Sequence, residues 1–269
     1  MADATIVAIA NQKGGVGKST TAINLGAGMA IQGDRVLLVD LDPQGNTSSW
    51  LGVDRTSIEY STYDVLINEI PIDDVVEPSS VRDLYVVPAT IELAGAEIEL
   101  VSIFSRESRL SQSLKPVLGE YDFILIDCPP SLGLLTINGL AAADEVLIPI
   151  QCEYYALEGV SQLMRNVQLV QQSLNPQLEV EGVVLTMYDG RTTLSADVVE
   201  QVREHFGETT YRTVVPRTVR LSEAPSYGEP IEAFDPMSRG AIAYRELARE
   251  FRSCLLYTSP SPRDFSCNL

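Results

Sequence analysis

Residues 13–20 read Lys-Gly-Gly-Val-Gly-Lys-Ser-Thr, and what flanks them fixes how they fold. The preceding run, Thr5–Ala10 (TIVAIA), is short and apolar, as a strand buried on both faces must be. From Ser19 to Ile31 the sequence takes a helical period, with Ala22, Leu25, Gly26 and Met29 on one face. Gly33 stands where a helix stop is expected. A glycine-rich turn between a buried strand and a helix N-terminus is a polyphosphate cradle. Its glycines let successive N–H groups point at phosphate oxygens, and the helix end adds favourable electrostatics. This context assigns Lys18 to the β- and γ-phosphates of ATP and the Ser19 hydroxyl to Mg2+. Gly14, Gly15, Val16, Gly17 and Thr20 complete the ATP-binding loop. Lys13 is an additional cation that such a loop does not require, and it adds positive charge beside the triphosphate.

Further apolar runs lie at Arg35–Asp40, Leu84–Pro88, Asp122–Asp127, Glu145–Ile150, Val180–Met187 and Thr213–Val215. Helical patterns lie between them, notably Ala156–Ser173 and Leu194–Phe206. This alternation predicts an α/β fold, a doubly wound, mainly parallel sheet with helices on both faces. Residues 50–83 carry no clear period. No linker divides the chain, so residues 1–253 read as one domain. Asp40, Asp42 and Asp127 end buried strands or follow them closely, where loops of open α/β sheets meet ligands. Asp127 fits the carboxylate that holds Mg2+ through water. Pro129, Pro130 and Ser131 just beyond it form a stiff segment able to move as a unit when a phosphate leaves.

The formal charge is −18, which argues against passive binding to nucleic acid. The charge is uneven: residues 1–189 hold 9 Lys/Arg against 26 Asp/Glu, whereas residues 190–252 hold 9 Arg against 10 Asp/Glu. Two of the three lysines, Lys13 and Lys18, sit in the phosphate loop. Cys128, Cys152, Cys254 and Cys267 form no C-x-x-C pair and suggest neither a disulfide framework nor a zinc site. No run of eighteen apolar residues occurs and the N-terminus lacks the pattern of a signal peptide, so a cytoplasmic protein is expected. The segment Cys254–Asp264 (CLLYTSPSPRD) resembles, at every residue, the translation of a transposon-based sequencing adapter. Residues 254–269 are therefore set apart as a non-native tail.

The loop resembles the deviant Walker A motif, K-G-G-x-G-K-[ST]. The segments ANQKGGVGKSTTAINLG, LLVDLDPQGNTSS, PATIELAGAEIEL, IDCPPSLGLLTINGL, PIQCEYYALEGVSQL, LTMYDGRTTLS and VPRTVRLSEAPSYGEPI are similar to the chromosomal ParA/Soj family of partition ATPases, over about Thr5 to Arg252. The resemblance implies a Mg-dependent ATP hydrolase that closes a homodimer over ATP, with Lys13 reaching the partner subunit's nucleotide. It implies that Asp42 orients the attacking water and that Asp40 supports the metal and switch region. Pro216 matches the wall of the adenine pocket. Arg191 and Arg220 match arginines implicated in nonspecific binding of double-stranded DNA, with Arg217 in the same motif; the alternative is surface arginines paired with neighbours such as Asp189 or Glu223. A ParB-type (Spo0J-type) protein is the implied partner, and nucleoid association the implied location. The strand before the loop begins by Thr5, so the N-terminal DNA-binding extension of some relatives is not expected. The main competing expectation is a MinD-like membrane-associated ATPase that positions division; DPQGN and RLSEAPSYG favour the partition branch. An iron–sulfur carrier ATPase would need paired cysteines.

Overall fold

The computed structural model describes residues 3–154 and 156–258; the rest of the adapter-like tail, residues 259–269, lies outside the described residues. The strands are Thr5–Ile9 (β1), Val36–Asp40 (β2), Glu77–Pro78 (β3), Leu84–Val87 (β4), Phe123–Asp127 (β5), Glu145–Gln151 (β6), Glu179–Tyr188 (β7) and Thr210–Pro216 (β8). They form one sheet in the order β3-β4-β2-β5-β1-β6-β7-β8. Every neighbouring pair is parallel except β3 with β4. The helices are Lys18–Ile31 (α1), Asn46–Trp50 (α2), Leu93–Glu99 (α3), Arg109–Leu114 (α4), Leu134–Ala142 (α5), Ala156–Ser173 (α6), Thr193–Phe206 (α7), Val219–Glu223 (α8), Ile231–Phe234 (α9) and Arg239–Thr258 (α10). The last helix continues past Ser253, across the boundary that the sequence suggests.

The central strands are apolar on both faces because both faces are covered. Along β1, Val7 and Ile9 join the core beneath α1 and α10, while Ile6 and Ala8 join the core on the side of α3, α4, α5 and α6. This is the period-2 alternation of a strand, with each buried Val, Leu or Ile contributing about 1.5–3 kcal/mol. Two glycines seat α1 closely. A Cβ at Gly26 would lie 3.2 Å from Leu38 of the sheet, and one at Gly28 would lie 3.1 Å from the Ala248 Cβ of α10. Only small residues at these two positions let α1 nest between sheet and helix, which fixes where its N-terminus points.

The unpatterned stretch at residues 50–83 contains the end of α2, a π-helical turn at Asp64–Asn68 and the two-residue β3. So short an antiparallel edge strand, closed by Pro78, has no length over which a period shows. On either side of β1 the chain winds in opposite directions, toward β2 and toward β6. That switch point gathers the C-terminal ends of β1, β2 and β5 around one crevice.

At the opposite end of the sheet, Glu145 of β6 pairs in register with Glu179 of β7. Its Oε2 is buried without a hydrogen bond. Burial first, then Glu181, Asp144 and Glu179, push the Glu145 carboxyl up to about 8. In the unfolded chain it titrates near the ordinary Glu value of about 4.3. The folded state therefore binds this proton more tightly, and stability falls as pH rises from that value through about 8. Because the group is partly exposed, the penalty is discounted to about 1–2 kcal/mol. Glu145→Gln should raise the melting temperature at pH 9 by ~2–6 °C and leave it nearly unchanged at pH 4. Equal shifts at both pH values would contradict this account of the carboxylate.

Candidate nucleotide site

The phosphate loop leaves β1 at Ile9 and is tied down from three sides. Asn11 Nδ2 donates to the Pro149 carbonyl at 2.7 Å, its Oδ1 accepts from Lys13 N at 3.0 Å, and Thr186 Oγ1 of β7 donates to the Val16 carbonyl at 2.8 Å. Gly15 (φ +75°) and Gly17 (φ +90°) are left-handed, a conformation that costs most side chains about 1–2 kcal/mol. Gly17 caps α1, yet no side chain bonds the first turn and no carboxylate lies in it. The first N–H groups of α1 are thus left to an anion. Lys18 is buried, with Nζ 3.4 Å from the Lys13 carbonyl. Burial lowers its pKa, and the fields of Asp127 and Asp42 oppose that fall. An ammonium so placed, without a strong partner of its own, is poised for phosphate oxygens.

Asp40 and Asp127 are register partners at the ends of β2 and β5, and both are buried. Helix α2 holds them together. Thr47 Oγ1 donates to Asp127 Oδ2 at 2.7 Å, while Ser48 N and Oγ donate to Asp40 Oδ2 at 2.9 and 2.6 Å. The Asp42 N–H donates to Asp40 Oδ1 at 3.1 Å. Both Asp40 oxygens are therefore committed to the segment Asp42–Ser48. Burial raises both carboxyls; the field of Asp127 adds to the rise at Asp40, whereas the hydroxyls of Ser19 and Thr47 and the Lys18 ammonium oppose it at Asp127. Asp127 Oδ1 is buried and makes no hydrogen bond within the protein. One orphaned carboxylate oxygen, on an acid whose carboxyl the Ser19 hydroxyl also acts on, fits a hard cation held through water and phosphate oxygens. No group of three His, Cys, Asp or Glu among the described residues could hold a metal alone, and Mg2+ carried with a nucleotide needs none.

The loop opens onto a cleft of about 520 Å³, lined by Gly14, Gly15, Lys18, Ser19, Asp42 and Pro130 among others. Asp42 Oδ1 accepts from Gln44 N at 2.9 Å. Adjoining it is a second hollow of about 280 Å³, walled by Val215, Pro216, Thr218 and Leu221. Gly17, Thr20, Trp50, Met187 and Pro225 line both. The pair forms one bipartite site, with room for phosphates at the loop and for a flat apolar ring beside Pro216. Sequence reasoning missed Thr47, Ser48, Trp50 and Met187. Thr47 and Ser48 stand in DPQGNTSS, where hydroxyls soon after a strand-end carboxylate were an available signal. Met187, at φ +54°, is a non-glycine residue in the left-handed region, which no sequence pattern reveals. Trp50 is anchored by its indole N–H on the Glu229 carbonyl at 2.8 Å, 179 residues away.

Lys13 is half-buried and forms no ion pair among the described residues. Of the three arginines suggested for DNA, Arg217 lines the hollow beside Pro216, Arg191 and Arg220 lie outside both hollows, and all three are paired. Arg191 makes two hydrogen bonds to Asp189 (2.8 and 2.6 Å), Arg217 lies 3.6 Å from Glu153, and Arg220 meets Glu223 at 3.0 Å and Asp235 at 3.2 Å. Cys128 and Cys152 are buried thiols raised by desolvation, Cys152 to about 12, as inert core cysteines are. No helix among the described residues is long and apolar enough to cross a membrane.

A family model described as an AAA domain matches residues 4–180. The chain is 58% identical over 245 residues to the sporulation initiation inhibitor protein Soj of Bacillus subtilis, covering 91% of this chain and 97% of that one. It is 55% identical over 245 residues to the chromosome partitioning protein ParA of Myxococcus xanthus, covering 91% and 87%. Among solved structures, a Mycobacterium smegmatis protein described as cobyrinic acid a,c-diamide synthase, with bound ADP and magnesium, superposes with a TM-score of 0.81 at 41% identity, covering 91% of this chain and 93% of that one. The cell division ATPase MinD of Pyrococcus furiosus superposes at 0.76 with 28% identity, covering 93% and 98%. The chain is a P-loop ATP hydrolase whose cofactors are ATP and Mg2+, and it belongs to the ParA/Soj family.

Proposed function

We propose that this chain is the nucleotide-switched ATPase of a DNA partition system, acting as an ATP-closed homodimer on nonspecific double-stranded DNA with a ParB-type partner. The observation that carries the reading is the link from the phosphate loop to α2: Asp127 faces the loop, Asp40 stands beside it, and Thr47, Ser48 and Asp42 bind the two carboxylates. Whatever changes at the γ-phosphate is felt by the segment Asp42–Trp50. The names and identities of the Soj and ParA relatives support chromosome partition over the division-positioning alternative. When bound, Mg2+ neutralises charge on the β- and γ-phosphates.

Each side chain then has one task. Lys18 and the α1 N–H groups bind the phosphates. Ser19 and Asp127 hold the cation site, and Asp40 keeps Asp42 in place through its backbone N–H. Asp42 orients the attacking water toward the γ-phosphate. Lys13, free of ion pairs among the described residues of one protomer, reaches across to the nucleotide of a second copy. Pro216 with Val215 and Leu221 walls the base. Arg191, Arg217 and Arg220 contact DNA phosphates, giving affinity without sequence readout. Their carboxylate partners are exposed or partly so, and such pairs contribute only about 0–1 kcal/mol, so phosphates compete with them readily. Each phosphate contact releases counterions from the duplex, which makes that competition strongly dependent on salt. The protein would then be cytoplasmic and nucleoid-associated.

Asp42→Ala should slow single-turnover hydrolysis by about 10²–10⁴-fold while light scattering still shows an ATP-dependent dimer. Turnover at the normal rate would remove Asp42 from its role. Arg220→Ala should keep that dimer but lower duplex DNA affinity, with the slope of log affinity against log salt shallower by ~1 for each phosphate no longer neutralised. An unchanged slope and affinity at moderate salt would sink the arginine assignment.

A further inference from the structure

Helix α3 is apolar on two sides, and only one is covered. Leu93, Ala96 and Leu100 are buried against the core. The helical winding starts before α3, with Ala94 N bonded to the Ile91 carbonyl, and continues through the tighter turn Leu100–Ser102. On its outer side Ile91, Ala94, Ile98 and Val101 follow at spacings of three, four and three, which places them on one stripe. Ile91 is 61%, Ile98 78% and Val101 59% exposed, and Phe104 beyond them is 93% exposed. Phe104 is presented by a fixed turn. Ser105 is left-handed at φ +56°, and its carbonyl accepts from both the N–H and the hydroxyl of Ser108, at 3.0 and 3.1 Å. A continuous apolar stripe left in water marks an interaction surface.

The stripe is edged with negative charge. Between Asp83 and Ser105 the chain carries Glu92, Glu97 and Glu99 and no Lys or Arg. Glu99 is held by the Tyr63 hydroxyl at 3.0 Å. Arg106, next in sequence, is occupied by Glu107 and by the Val101 carbonyl, and Arg55, which acts on Glu92, donates to the Gln44 carbonyl. A second copy of this acidic chain would set carboxylates against carboxylates; a cationic partner complements them. The helix also touches the site. The position of a Cβ at Gly133, which starts α5 just after Pro129–Ser131, is occupied by the Glu97 carboxylate, and Glu97 Oε1 is buried without a hydrogen bond.

We infer that the stripe Ile91–Phe104 docks a basic, amphipathic segment of a protein partner, and that its occupation is felt at the switch Pro129–Gly133 through Glu97. This deepens the partition reading by naming where a partner engages, and it rests on that reading for the partner's effect on hydrolysis.

The direct test is fluorescence anisotropy of a labelled synthetic helix with Leu on one face and Lys on the other, titrated with the full chain. Ile98→Ser/Phe104→Ser and, separately, Glu92→Lys/Glu99→Lys should each weaken binding at least about tenfold. Leu169→Ser, an exposed apolar control on α6, should leave it unchanged. Equal binding by all variants overturns the assignment. So does loss of the ATP-dependent dimer in the Ile98→Ser/Phe104→Ser chain, which would make this face a contact between copies. With a ParB-type protein of Bacillus subtilis as probe, stimulated hydrolysis should fall in both double variants while unstimulated hydrolysis stays. Undiminished stimulation in them overturns the inference. Absence of stimulation in the unmodified chain would count against the partition reading, while the peptide titration still decides the surface.

Discussion

Two buried carboxylates side by side, Asp40 and Asp127, are the constraint on which this structure depends. A sheet end does not place two negative charges in a dry interior unless something answers them. Thr47 and Ser48 donate three hydrogen bonds to these oxygens, the Asp42 N–H a fourth, and Lys18 supplies a positive field. What remains is Asp127 Oδ1, which makes no hydrogen bond within the protein. Desolvation raises both acids, and a carboxylate oxygen so placed fits a hydrated cation. The same bonds that make burial tolerable bind α2 to the ends of β2 and β5. In the proposed function, structure and switching use one set of contacts.

The rest of the fold serves that placement. The parallel strands bring their C-terminal ends to one edge, Gly26 and Gly28 let α1 sit close enough to aim its N-terminus at the same point, and Thr186 fixes the loop from β7. Surface chemistry is divided differently. Arg191, Arg217 and Arg220 lie just beyond the ends of β7 and β8, each matched with a carboxylate, so the near-neutral late segment is a field of exchangeable pairs rather than a bare cationic patch. An acidic protein with such a surface binds polyanions only where geometry gathers several arginines, which is the task of the dimer in the proposed function.

Much of this was legible in the sequence, for physical reasons that differ by element. The central strands were readable because burial on both faces writes an uninterrupted apolar run. The phosphate loop was readable because its chemistry is local: glycine, lysine and serine act within eight residues. The strand-end carboxylates were legible as a group because a charge ending an apolar run has few structural uses. Asp40 differs in detail, since the sequence could not show that Ser48 and the Asp42 N–H would occupy both of its oxygens. Trp50 and Met187 escaped because their position depends on contacts far along the chain and on a backbone conformation. Pairing of Arg191 with Asp189 and of Arg220 with Glu223 was foreseeable from proximity in sequence, whereas Arg217 with Glu153 was not. The outer stripe of α3 was masked by its inner one: a helix apolar on two sides reads as buried until the core shows which side it covers.

The carboxylate pair, on this account, transmits the state of the nucleotide to α2. Hydrogen exchange of the backbone amides of residues 42–50 in Mg-ATP and in Mg-ADP tests that claim most directly. The expected result is stronger protection of this segment in Mg-ATP, reduced by Thr47→Ala, with protection of the phosphate loop retained in both nucleotides. Equal protection of residues 42–50 in the two nucleotides, with the loop protected in both, would contradict it.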